Sequence, residues 1–290
     1  MRKLKRVHRF EKNKRQLARP QIFLNKTRIS GLNFSDLICG LDVDDHLRTT
    51  ANFPRLVARL RADVGELYGQ LFSLLAEEDG LRVSTVFPFL ARKFLEISLI
   101  SMLARIDPMR VIAASKNQMD DSYEAGKPNE SSIAWAADIF SKDKTPIDIN
   151  KKLWSNDILK KGVERSLLGW HVSNVIVEPC LLWLSDQDSV DSKWLKECSS
   201  KDDKLGWIKG HFTRLYSTFS KGIHAEYLID DRSMFDRETI LQQMNDLLMT
   251  VFLLATALHS SPLASRALSM EKAIELLTRA EKQFEQRKLT

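Results

Sequence analysis

The chain has 290 residues, 43% of them hydrophobic and 28% charged, which is the balance of a globular protein with a packed core and excludes a fibrous or wholly disordered chain. Its three cysteines, Cys39, Cys180 and Cys198, are too few and too scattered for a disulfide framework or a cysteine-rich zinc site, so we expect a reducing, cytoplasmic compartment. The net charge of +6 is distributed unevenly along the chain.

The first 20 residues carry the positive charge. Nine are Lys or Arg against the single acid Glu11, a net of +8, and since the whole chain carries +6, residues 21–290 carry −2. The basic residues are Arg2, Lys3, Lys5, Arg6, Arg9, Lys12, Lys14, Arg15 and Arg19. Such a run stays extended and gains free energy by releasing counterions from a polyanion. We predict a flexible basic arm over residues 1–30 that binds nucleic acid, with RNA preferred to DNA, and that does not bind a membrane. The alternative is a tail that only aids solubility.

Helical periodicity dominates the rest of the chain, and no run of alternating strands occurs in it. We predict one all-α domain over residues 31–290, a multi-helix bundle with polar insertion loops at about 115–150 and a polar linker at 185–203. The predicted helices cover residues 53–78, 85–106, 131–140, 155–183 with a bend at Pro179, 204–227, 236–259 and 269–287. The longest apolar run, 247–258, is too short to cross a bilayer and is interpreted as a core helix.

Common catalytic and nucleotide-binding motifs are absent. The sequence contains no GxGxxG or GxxxxGK[ST] loop, no GxSxG elbow and no HExxH pair. The acidic cluster at 42–46 lacks the glycine and the terminal glutamate of a calcium loop, so an exposed loop or helix cap is the preferred interpretation. We therefore expect no metal or other cofactor.

The segment 213–227, TRLYSTFSKGIHAEY, is the most informative part of the sequence. Helical spacing places an apolar stripe on one side and a polar ridge that ends in histidine on the other. The stripe is Phe212, Leu215, Phe219 and Ile223, and the ridge is Arg214, Ser217, Lys221 and His224. A histidine beside cations can deprotonate a ribose 2′-hydroxyl while a cation holds the scissile phosphate. A structural histidine near a helix end is the other interpretation.

The pattern around Tyr216, Ser220 and His224, together with the apolar helix ARKFLEISLISMLARIDPMRV at 91–111, resembles the HEPN superfamily of helical bundles. The resemblance implies a HEPN-like fold, a component of a bacterial defence or toxin–antitoxin system, and an active site built across an oligomer. Many members of that superfamily are metal-independent ribonucleases, so the resemblance also implies catalysis at His224.

The sequence departs from the family's motif, which is an arginine, four to six intervening residues and a histidine. Residues 217–219, where that arginine would stand before His224, are Ser, Thr and Phe. Arg214 lies ten residues before His224, about 15 Å along a helix axis. The other candidate cations are Lys221, which is one helical turn from His224, and Arg105, which would come from a second helix or a second subunit.

These sequence features are consistent with three alternative functions. The first is a nucleic-acid-binding HEPN-like subunit that contacts RNA, DNA or a partner enzyme. The second is an endoribonuclease with His224 as general base and Lys221, Arg214 or Arg105 as the cation. The third is a non-enzymatic scaffold or antitoxin-like subunit that binds a partner protein, as a homodimer or a hetero-oligomer.

Overall fold

A computed structural model describes residues 34–40, 53–77, 79–120, 123–124, 132–140, 166–169, 172–187, 190–223 and 235–288. These ranges contain helices and turns and no strand, which confirms the all-α prediction for this part of the chain. The α-helices are α1 Phe34–Cys39, α2 Phe53–Leu74, α3 Gly80–Ile106, α4 Pro108–Gln118, α5 Glu178–Ser185, α6 Lys193–Ser199, α7 Lys204–Ile223, α8 Arg237–Ala257 and α9 Met270–Lys288.

All described residues belong to one packed unit, Asn33–Thr290. The nine basic residues of the predicted arm and the acidic cluster at 42–46 lie outside the described residues.

Helix α8 forms the centre of this unit. Every residue from Asp246 to Ala257 is buried, because α1, α3, α5, α7 and α9 all pack against it. A helix that is apolar on all sides must be enclosed in this way. With its 3-10 extension it becomes Arg237–Ser260, the single described helix long and apolar enough to cross a membrane, and 78% of its apolar window is buried. The interpretation of 247–258 as a core helix is confirmed.

Side-chain caps fix the ends of α3. The carboxylate of Asp79 accepts hydrogen bonds from the backbone N–H groups of Leu81 and Arg82, so α3 starts five residues before the predicted Thr85. At the other end, Asp107 terminates α3 as predicted, and its side chain also accepts from Arg110 N to begin α4. Proline suits the first position of α4, because the backbone N–H that it lacks would have no partner within the helix at that position.

The predicted continuous helix over 155–183 is wrong in its middle. Residues 166–169 form a turn in which Leu167 N and Leu168 N donate to the carbonyls of Asp138 and Ile139 at 2.9 and 2.7 Å. These donors therefore bond to the segment at Trp135–Ile139, a single π turn inside the predicted 131–140 helix, rather than to their own helix. Pro179 lies in the first turn of α5, which continues directly from the π segment Ser173–Val177.

The predicted polar linker at 185–203 contains a helix, α6, which the sequence pattern did not reveal. Ser192 caps it by accepting from Leu195 N at 3.1 Å, and its apolar face consists of Trp194, Leu195 and Cys198, all buried. The indole of Trp194 donates to Asn245 Oδ1 on α8 at 3.0 Å. Burial of this apolar face against the core compensates for the otherwise polar composition of α6. The stability of this short helix therefore depends on tertiary packing.

Candidate functional site

Helix α7 divides into a buried and an exposed face largely as predicted. Phe212, Leu215 and Phe219 are buried against the core. Ile223 departs from the stripe, because it is 39% exposed. The reason is its neighbour Gly222, where a β-carbon would come within 2.7 Å of Pro88 and 2.8 Å of Phe235, so the last turn packs through the glycine backbone and Ile223 lies outside the contact.

The polar ridge of α7 is exposed wherever it is described. Arg214 has 59% of its side chain exposed, and Ser217 and Lys221 are exposed on the same side. Arg214 and Lys221 are seven residues apart, about 10 Å along the helix axis. His224, the predicted end of the ridge, lies outside the described residues, as does the rest of 224–234.

An open groove of about 1020 Å³ lies between α7 and the first half of α8. Its walls are mainly polar and include both signs of charge, with His211, Arg214, Arg237, Glu238, Asp246 and Lys288 among them. Carboxylates outnumber Arg and Lys side chains in this lining by four to three.

A hydrogen-bonded network forms the floor of the groove. The guanidinium of Arg214 donates through Nη2 to Asp246 Oδ2 at 2.8 Å and lies 3.0 Å from His211 Nδ1. Gln242 donates to the other carboxylate oxygen, Asp246 Oδ1, at 2.8 Å. Asp246 is buried and would be costly to leave unpaired, so these partners compensate its charge and join α7 to α8.

The network also fixes the chemistry of His211. Burial lowers the pKa of His211, and the positive charge of Arg214 lowers it further. Because a guanidinium can only donate, Nδ1 must accept the bond, and the neutral ring then carries its proton on Nε2. In this arrangement His211 can donate a hydrogen bond through Nε2, while the lone pair of Nδ1 already accepts from Arg214.

An aromatic cluster lies on the neighbouring face of α7. The ring of Tyr216 stacks on Trp135 with centroids 3.8 Å apart, and Phe140 packs against the same indole at 4.9 Å. Arg92 donates through Nη2 to the Tyr216 hydroxyl at 3.0 Å and through Nε to Glu96 at 3.0 Å. The cluster fastens the π turn to α7 and α3.

Arg105 lies far from any exposed face. Its side chain is 2% exposed, and the guanidinium donates to the carbonyl oxygens of Ser265, Leu37 and Ala255 at 2.9, 3.2 and 3.0 Å. Nη2 lies 3.0 Å from His259 Nδ1. With its donors engaged in the core, Arg105 has no side open to a phosphate in this structure, and we leave it out of the candidate site.

No cluster of His, Cys, Asp and Glu suited to a metal ion occurs among the described residues. Cys39, Cys180 and Cys198 are free and buried, and burial raises the pKa of each thiol. Protonated thiols of this kind are poor nucleophiles and poor metal ligands.

His211, Asp246 and Gln242 belong to this network and were not predicted from the sequence. Two signals were available: His211 and Arg214 are three residues apart on a predicted helix, and Asp246 is an acid at the edge of the longest apolar run.

Comparison of the chain with models of protein families, with curated proteins and with solved structures gives no match to any of them.

Proposed function

We propose that this chain is a nucleic-acid-binding protein of HEPN-like architecture, and that single-stranded RNA lies along the exposed ridge of α7 beside the groove. The observation that supports the proposal is the alignment of Arg214, Ser217 and Lys221 on one exposed helix face. Arginine and lysine on such a face neutralise phosphates, and a serine hydroxyl between them donates to phosphate oxygens.

The groove beside the ridge carries both signs of charge, and Glu197 and Glu238 also line it. Asp246 is compensated by Arg214 and Gln242, and Asp236 accepts the N–H of Thr239 at 2.8 Å as the cap of α8. Arg237 and Lys288 are cations on the same walls. The strongly basic segment 1–20 adds a second, independent source of positive charge in the same chain.

At His211, the hydrogen bonding of the ring disfavours general-base catalysis. A general base needs a free lone pair within reach of the hydroxyl that it deprotonates. The Nδ1 lone pair of His211 accepts from Arg214, so His211 cannot act as a base through Nδ1 without breaking that bond. The association with a defence or toxin–antitoxin system, through RNA or a partner enzyme, is part of the proposal on the strength of the sequence resemblance.

The test is binding of a fluorescent single-stranded RNA, followed by anisotropy at several salt concentrations. Lys221→Gln should weaken binding severalfold and reduce the slope of log K against log salt by about 0.7, the value for one phosphate contact on a single strand. Arg55→Gln is the matched control, since Arg55 is an exposed arginine on α2, none of whose residues lines the groove, and the substitution removes the same charge. Equal effects of the two substitutions would contradict binding at the α7 ridge.

Endoribonuclease activity is the second candidate, supported by the exposure of Lys221 on the last described turn before His224. In this version His224 is the general base and Lys221 or Arg214 stabilises the charge on the phosphate. Cleavage of mixed single-stranded RNAs in the presence of EDTA should then occur with the wild type and be lost in His224→Ala, while His211→Ala retains it. Cleavage that is absent, or equal in all three proteins, would eliminate this version.

A further inference from the structure

A second, smaller cavity lies next to the polar groove. Its volume is about 280 Å³, and it is enclosed by the end of α2, the first turn of α3 and the start of α8. Its walls are predominantly apolar, formed by Leu74, Leu75, Val83, Phe235, Ile240 and Leu241. Drug-sized ligands occupy pockets of about 300–1,000 Å³, so this cavity suits a single hydrocarbon chain and is too small for a fused-ring cofactor.

One cation lies where the two cavities meet. Arg237 lines both the apolar cavity and the polar groove, as do Asp236 and Leu241. Arg237 is exposed, and within the described part of the chain no carboxylate pairs with it. An apolar chain in the smaller cavity therefore ends beside a guanidinium that is available to an anionic head group.

Within the described residues, Glu77 and Asp236 are the acids that line this cavity, and each has a hydrogen-bond or ion-pair partner. Glu77 pairs with Arg82 at 3.3 Å. The carboxylate of Asp236 accepts the N–H of Thr239, which lowers its pKa and keeps its charge engaged at the helix end. Glu238 lines the polar groove and not the apolar cavity. Of the described residues that line the smaller cavity, Arg237 is the basic one that can bind an anionic head group.

We propose that this cavity is a binding site for a small amphipathic carboxylate, a straight-chain fatty acid of medium length. The chain lies against Leu75, Val83 and Ile240, and the carboxylate accepts from Arg237. A guanidinium presents paired donors that match the two oxygens of a carboxylate, which an ammonium group would not do. This site is independent of nucleic-acid binding, although its occupant would withdraw the charge of Arg237 from the groove.

The direct test is isothermal titration of the full chain with hexanoate, octanoate and decanoate, each below its micelle concentration. Burial of hydrocarbon predicts that each added methylene raises affinity about fourfold until the cavity is filled. Decyltrimethylammonium, with the same chain and the opposite charge, should bind at least tenfold more weakly than decanoate, since it loses a charge-assisted hydrogen bond of about that value.

Two substitutions locate the site. Arg237→Gln should weaken decanoate about tenfold while Arg55→Gln leaves it unchanged. Val83→Trp fills the cavity and should abolish saturable binding, with a thermal melt to show that the variant is folded. Affinity that does not depend on chain length, equal binding of the ammonium probe, or equal effects of the two arginine substitutions would each overturn the proposal. No nucleic acid is present, so failure here leaves the proposed function untouched.

Discussion

At the scale of single residues, Arg105 is a buried cation that joins three parts of the fold. Its guanidinium joins α1, the core helix α8 and the loop at Ser265, and Gly40 leaves space for it: φ is +49° there, and a β-carbon would overlap the guanidinium. Burial lowers the pKa of Arg105 to about 9, still above neutral pH, so the charge persists inside the core. The described residues supply no carboxylate to it, and backbone carbonyl oxygens stabilise the cation instead.

We predict that Arg105→Met lowers the free energy of unfolding by about 3–5 kcal/mol, because it leaves buried carbonyls without donors. Urea denaturation followed by circular dichroism measures this. Arg82→Met is the control, since Arg82 forms an exposed pair with Glu77 and its loss should change stability by less than about 1 kcal/mol. A loss for Arg105→Met as small as the control's would show that the buried network is not stabilising.

His259 beside Arg105 introduces a dependence of stability on pH. Nδ1 lies 3.0 Å from Arg105 Nη2 and 2.9 Å from the carbonyl of Ala255, and Nε2 has no partner among the described residues. Burial, and then the charge of Arg105, lower the pKa of His259 from 6.5 to about 3. The unfolded chain therefore binds a proton between these two values while the native state does not.

Stability should accordingly be complete above pH 6.5 and decrease as the pH falls toward 3. The slope for one proton is about 1.4 kcal/mol per pH unit, so the loss at pH 5 is about 2 kcal/mol. Melting temperatures of the wild type and His259→Asn between pH 7.5 and 5 measure it. Asparagine cannot be protonated, so its curve should be flatter; parallel curves would contradict the assignment to His259.

At the scale of secondary-structure elements, the contact of α7 with α8 depends on one buried carboxylate. Asp246 accepts from Arg214 and Gln242, and its side chain is only 12% exposed. Asp246→Ala removes the acceptor of both donors, and we expect a loss of about 1–3 kcal/mol. Asp63→Ala is the matched control, because the pair of Asp63 with Arg59 is exposed and should contribute less than about 1 kcal/mol. Urea unfolding of both variants compares the two, and equal losses would show that burial of the pair has no effect.

The elements that sequence periodicity predicted well are those with a strong amphipathic or fully apolar pattern. Helices α2, α3, α8 and α9 have such patterns, and a capping aspartate marks an end of two of them. The turn at 166–169 could not be predicted in this way, because its backbone donors bond to Asp138 and Ile139, about thirty residues earlier in the chain. Helix α6 was missed for a related reason: its apolar face is short, and packing on α8 rather than local pattern stabilises it.

The same distinction applies to the candidate site. The exposed ridge of α7 follows from helical spacing alone, so Arg214, Ser217 and Lys221 were identified correctly as exposed neighbours. The burial of Arg105 and the pairing of Arg214 with Asp246 depend on which helices meet in space. Spacing along one helix contains no information about such contacts, and for that reason Arg105 was included among the candidate cations.

At the scale of the whole molecule, the proposed RNA contacts come from two parts of the chain, residues 1–20 with a net charge of +8 and the exposed ridge of α7. Residues 21–290 carry −2, and those of them that the structure describes pack around α8. If both parts contact one RNA strand, their contributions to the salt dependence of binding should add, since each cation that neutralises a phosphate releases counterions.

The most direct test is therefore the affinity for single-stranded RNA, measured from low to physiological salt, of the wild type, of a chain lacking residues 1–20, and of that shortened chain carrying Lys221→Gln. The account predicts a steep slope of log K against log salt for the wild type, a shallower slope without the basic segment, and a further decrease of about 0.7 when Lys221 is also replaced. Equal slopes and affinities in all three proteins would contradict nucleic-acid binding by this chain.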